Sequence, residues 1–169
     1  MIVIADTTPL NYLVLIDRAD LLPQLFGLVL IPPAVFNELK HPEASERVRD
    51  WVAHPPSWLQ VQSLRFRPDP SLDHLDSGER EAIALAEEVK ADQLLIDEAD
   101  ARQEAARRNL PFMGTLGVLR TAARLDLIDL PSDPARLQQT TFYVDPELIR
   151  SLLAEDAARK KQGSRGSVL

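Results

Sequence analysis

The chain has 169 residues, no cysteine, 13 prolines, 6 glycines and a formal net charge of −7, a length that suits one globular domain. The absence of cysteine excludes a disulfide scaffold, a thiolate zinc site, an iron–sulfur cluster and a thiol nucleophile. No apolar run approaches the roughly 20 residues that cross a bilayer, and Met1 to Asp6 lacks the basic start of a signal peptide, so a soluble, cytoplasmic protein with no membrane partner is expected.

Ile2 to Ala5 is a continuous apolar run, as in a strand buried on both faces. Thr7, Thr8 and Pro9 then open a helix through Leu10, Leu13, Val14 and Ile16. A short helix over Leu21 to Phe26 ends near Gly27, and Leu28 to Ile31 reads as a second strand. Pro32-Pro33 stops that strand and starts a helix carrying Val35, Glu38 and Leu39. Less regular sequence follows, with a helix near Glu46 to Val52 and a short strand around Leu59 to Val61. Ser77-Gly78-Glu79 begins a strong helix whose Ala82, Ile83, Ala86 and Val89 keep the helical period. Leu94 to Ile96 is the next buried strand, Glu98 to Arg108 is helical, Phe112-Met113 is a brief strand and Thr115 opens another helix. A Pro131/Pro134 turn, a strand over Thr141 to Val144 and a helix from Asp145 complete residues 1–158, the expected domain. Residues 159–169 read as a disordered tail. Alternating strands and helices predict an α/β fold with a mainly parallel sheet, in which ligands bind beyond the carboxyl ends of the strands.

That edge is where the notable acids fall. Asp6 follows the first strand and Asp97 the strand Leu94 to Ile96. Glu38 borders the buried face of its helix, and Glu79 lies in line with an apolar stripe, a costly place for an unpaired carboxylate. Four such acids repel one another unless a cation neutralises them. An all-oxygen site takes Mg²⁺ or Mn²⁺, which offsets charge on a reacting phosphodiester. Each acid also has a plainer reading: charge at a helix start for Asp6, an N-cap for Asp97, a solvated position for Glu38, and for Glu79 a capping arrangement with Asp76 or Ser77. Glu81, Glu87 and Glu88 fall off the stripe and read as solvated. Glu98 and Asp100 are candidates for supporting contacts, as are Thr7, Thr8, Arg102 and Thr115. Residues 69–104 hold 12 acids against 3 bases, and the rest of the chain 14 against 16, so the acidity belongs to the segment that supplies Glu79 and Asp97.

Several runs resemble the PIN-domain superfamily: Asp6-Thr7-Thr8-Pro9-Leu10; Ile31-Pro32-Pro33-Ala34-Val35 leading to Glu38-Leu39; Gly78-Glu79-Arg80-Glu81-Ala82-Ile83-Ala84-Leu85-Ala86; Leu94-Leu95-Ile96-Asp97-Glu98 with Ala101-Arg102; and Gly114-Thr115-Leu116-Gly117-Val118-Leu119. More narrowly they are similar to its prokaryotic VapC-like branch. The resemblance spans about residues 2 to 150 and implies a three-layer α/β/α fold, with Asp6, Glu38, Glu79 and Asp97 as catalytic and metal-holding acids. It implies an Mg²⁺- or Mn²⁺-dependent endoribonuclease, RNA as substrate, a small protein antitoxin as partner in a type II toxin–antitoxin pair, and a homodimer. In VapC-like toxins the third acid opens an Asp-Ala-x-Ile-Ala-Ala stretch, whereas here Glu79 stands four residues before Ile83; Leu95-Ile96 replaces the usual Thr-x before the fourth. The competing expectation is a catalytically silent PIN-like module that binds RNA or protein.

Overall fold

Five short apolar segments, Val3–Ala5 (β1), Val29–Ile31 (β2), Leu59–Val61 (β3), Gln93–Leu95 (β4) and Phe112–Met113 (β5), pair side by side in the computed structural model. The structure describes residues 1–130, 132–143 and 145–166. Every pairing is parallel, and the order is β3-β2-β1-β4-β5. The chain builds outward from β1 through β2 to β3, then returns to add β4 and β5 on the other side. Strand order therefore reverses between β1 and β4, where Ala5 is in register with Leu95, and that reversal opens a crevice at the carboxyl ends of those two strands.

The strand–helix alternation follows local chemistry. Thr7–Leu15 (α1) leaves β1 after Asp6; Leu21–Phe26 (α2) ends at Gly27, whose φ of 77° is a left-handed conformation suited to glycine. Pro33–Lys40 (α3) starts at a proline that presets the first-turn geometry. Glu46–Ala53 (α4) is capped by the Ser45 hydroxyl, which accepts the Val48 N–H at 3.3 Å. Ser77–Val89 (α5) follows a single 3-10 turn at Pro70–Leu72, and Ala99–Arg107 (α6) follows β4. Helix α5 packs on both β1 and β4. Its Ala82, Ile83 and Ala86 are fully buried with Ile4, Leu94 and Ile96, and the two alanines allow the helix to approach the sheet closely. Helices thus flank the sheet in the three-layer α/β/α arrangement. Ile2 and Leu28, apolar but placed before the strands they were expected to join, are 40% and 42% exposed.

The chain has two compact units, Met1–Thr115 and Leu116–Leu169. Thr115–Arg124 (α7) spans the division, and the second unit continues with Ser132–Gln138 (α8) and Pro146–Gly166 (α9). Within this unit Glu155 of α9 pairs with Arg120 at 3.0 Å and with Arg124, and Lys160 pairs with Asp129 at 2.6 Å and Asp156 at 3.0 Å. Those pairs explain why α9 continues through residues 159–166, against the expectation of a disordered tail there: Arg159 and Lys160 are tied to acids rather than left in solvent. Residues 167–169 of that tail lie outside the described residues. Pro134 of the expected turn lies in the first half of α8, and Pro131 is outside the described residues. The strand expected over Thr141 to Val144 does not form at 141–143: Thr140 donates its N–H to the Leu137 carbonyl at 3.0 Å at the end of α8, its hydroxyl accepts the Phe142 N–H at 3.1 Å in a turn, and Val144 lies outside the described residues. No helix among the described residues is long and apolar enough to cross a membrane.

Candidate metal centre

Two helix starts and the second turn of a third helix converge at the crevice. Asp6 is the N-cap residue of α1 and is 2% exposed, and its backbone N–H donates to the Leu95 carbonyl at 2.9 Å. Its position is thus fixed by the sheet and not by a flexible loop. Glu38, on the second turn of α3 between buried Val35 and Leu39, accepts the Gly78 N–H at 2.9 Å and the Thr7 hydroxyl. Asp76 is the N-cap of α5 and accepts the Glu79 N–H at 2.8 Å, while the Glu79 carboxylate accepts the Asp76 N–H at 3.2 Å, a reciprocal capping box. Gly78 is required by the approach of Glu38, because a Cβ at that position would overlap its carboxylate.

Carboxylate oxygens of Asp6, Glu38 and Asp76 all lie within 4.8 Å of one another. Asp76 is the member of this group that sequence reasoning did not single out as a candidate. Its signal was available in Asp76-Ser77-Gly78-Glu79, which starts a helix with an acid just as Asp6 does. Glu79 lies directly behind the trio, 6% exposed and committed to the Asp76 backbone.

These acids shift one another's ionisation. Burial pushes Asp6 well above the usual carboxylate range, and the Asp76, Glu79 and Glu38 charges add to the rise against the Thr7 backbone bond. Glu38 is raised by burial, opposed by the Thr7 hydroxyl and Gly78 N–H. Glu79 is pushed up to about 7, first by burial and then by the charge of Asp76. Among the described residues no lysine or arginine forms an ion pair with these four acids. Asp6 Oδ1 is buried without a hydrogen-bond partner, which in a protein interior is costly. Close oxygens, a partnerless buried carboxylate atom and missing counter-charge together fit a hard divalent cation.

Asp97 occupies a distinct position. It follows β4 and accepts both the Thr115 N–H at 2.8 Å and the Thr115 hydroxyl at 2.7 Å; a Cβ on Gly114 would collide with it. Burial raises its pKa, whereas the Thr115 bonds and Arg102 lower it. Arg102 donates to the Ile96 carbonyl at 3.2 Å and stacks over the Phe112 ring, 5.6 Å from its centroid. The structure thus joins Asp6 and Glu38 in the close oxygen group, and places Glu79 and Asp97 outside it. Thr7 and Thr115 each hold one of the expected acids. Thr8 is half-buried in α1, and Glu98 is the exposed N-cap of α6, near enough to raise Glu79. Asp100 lines a separate cleft with His74, Glu104 and Arg107. Glu81, Glu87 and Glu88 are not simply solvated: they accept from Ala34 N–H, from Arg108, and from the Arg65 and Phe66 N–H groups.

The acidic group thus lies at the switch point of an all-parallel sheet. The chain belongs to the PIN-domain family, whose model matches residues 2–157. Its fold is similar to that of a PilT N-terminus domain protein from the hyperthermophilic archaeon Sulfolobus solfataricus P2, at 14% identity and a TM-score of 0.53, over 72% of this chain and 93% of that one. No curated protein matches the chain.

Proposed function

We propose that this protein is a metal-dependent endoribonuclease, the toxin of a type II toxin–antitoxin pair, working in the cytoplasm as a homodimer with a small protein antitoxin. The observation that carries the nuclease reading is the acidic group at the switch point: one carboxylate oxygen each of Asp6, Glu38 and Asp76 lies within 4.8 Å of the others, and Asp6 also has a buried oxygen without a hydrogen-bond partner. The toxin, antitoxin and dimer parts are supported by the resemblance of the Asp6, Glu38, Glu79 and Asp97 runs to VapC-like proteins.

Asp6, Glu38 and Asp76 would hold Mg²⁺ or Mn²⁺. When bound, such an ion offsets the negative charge that a phosphodiester accumulates as it reacts. The chain's own residues supply the geometry. Thr7 and Gly78 aim Glu38, Glu79 fixes the Asp76 backbone, and Asp97 is held by Thr115 beside the neighbouring strand. In the hydrolysis, water adds across one P–O bond: its oxygen joins phosphorus, and the departing ribose oxygen takes a proton. Incubation of single-stranded RNA with the purified chain and Mn²⁺ tests the reading. Cleavage that stops with chelator and in Asp6→Asn is expected; cleavage that survives both rejects it.

A further inference from the structure

Helix α3 begins with a defect. Its N-cap is Pro32, which has no side-chain acceptor, and Pro33 has no N–H, so Ala34 carries the first backbone donor of the helix. That donor is satisfied from another element: Glu81 on α5 accepts the Ala34 N–H at 2.7 Å. In return Glu38 on α3 accepts the Gly78 N–H at 2.9 Å, in the first turn of α5. Each helix start is closed by a carboxylate from the second turn of the other, where the helix dipole also favours negative charge.

We propose that Glu81 is a positioning residue for the metal centre: by capping α3 it sets where Glu38 presents its carboxylate to Asp6 and Asp76. This rests on the metal reading above. The charge of Glu81 works against such a place, since it is among the groups that disfavour ionised Glu38. Its hydrogen bond is therefore the favourable part of its presence. Helix α3 and helix α5 pack against each other, so a loosened α3 start is transmitted to Glu38 one turn further along.

The discriminating pair is Glu81→Gln, which keeps an acceptor oxygen without the charge, and Glu81→Ala, which keeps neither. Mn²⁺ affinity of the full chain, read from free Mn²⁺ by electron paramagnetic resonance, is expected to fall about 10-fold in E81A, the scale of lost outer-shell support, and to stay within about threefold of wild type in E81Q. Hydrogen exchange at the Gly78 amide should accelerate in E81A alone. Glu87→Ala, on the same helix but paired with Arg108, serves as a control for general destabilisation and should leave Mn²⁺ affinity unchanged. Folded E81A with wild-type affinity overturns the inference, as does an equal loss in both variants, which would make charge and not position the cause. A wild-type chain that takes up no Mn²⁺ overturns the metal reading, and this inference with it.

Discussion

Two buried carboxylates of the first unit receive opposite treatment. Glu104 on α6 is 5% exposed, but Arg107 reaches it at 2.7 Å, His74 at 3.6 Å and Arg108 at 3.7 Å. Asp6 is 2% exposed, faces Glu38, Asp76 and Glu79, and has no basic partner among the described residues. Burial is almost the same and the surroundings are of opposite sign. Glu104 is an internally neutralised structural acid, whereas no basic side chain among the described residues neutralises Asp6. The contrast separates function from packing better than burial does, and it can be broken from either side.

The largest effect should come from Asp6→Asn, with Mn²⁺-dependent RNA cleavage reduced by at least about 100-fold, beyond the usual cost of losing an outer-shell partner. The same change should leave the metal-free fold as stable as before or more so, because it deletes a repelled carboxylate; a clear loss in urea midpoint would contradict the comparison. On the other side, Glu104→Gln should lower folding stability by about 2 kcal/mol, below the range for breaking a fully buried pair because Arg107 is largely exposed. Urea unfolding measures that loss, and Mn²⁺ affinity should not move. Gly78→Ala drives a methyl group into the Glu38 carboxylate, and a roughly 10-fold weaker Mn²⁺ affinity by titration is expected.

The smallest effect is one of pH. Asp6, Glu38 and Glu79 all have folded pKa values above their ordinary ones, Glu79 at about 7. The folded state therefore holds more protons than the unfolded one in the window between. Stability they contribute is present at low pH and is lost as pH rises from the ordinary carboxylate range through about 7. The metal-free melting temperature should decline across that window, and saturating Mn²⁺ should flatten the decline. An identical slope with and without Mn²⁺ would place these groups outside any cation site.

The sheet was readable from sequence because its strands are short apolar runs and its helices open with unambiguous signals, Thr7-Thr8-Pro9 and Pro32-Pro33 among them. Asp6 and Glu38 were readable for the same reason: each is tied to a strand end or a buried helix stripe. Asp76 was not, since its capping role was visible and its proximity to Asp6 depends on how the irregular chain before α5 returns to the sheet. Glu81 was misjudged because its partner, Ala34, lies 47 residues away. Off the stripe of its own helix, it is still beside the start of another. In α9, the glycines and serines suggested disorder, while ion pairs from residues distant in sequence gave Arg159 and Lys160 a helical place.

The exchange of carboxylates between α3 and α5 also bears on how the protein comes apart. An eight-residue helix such as α3 is too short to persist alone in water, and its first amide is satisfied only when α5 is docked. The first turn of α5 in turn relies on Glu38. Separating the two helices strands a backbone donor at the start of each, Ala34 in α3 and Gly78 in α5, so the two should open in one cooperative event instead of by separate local fluctuations. The acidic group of Asp6, Glu38 and Asp76 is then attached to a pair of helices that open together.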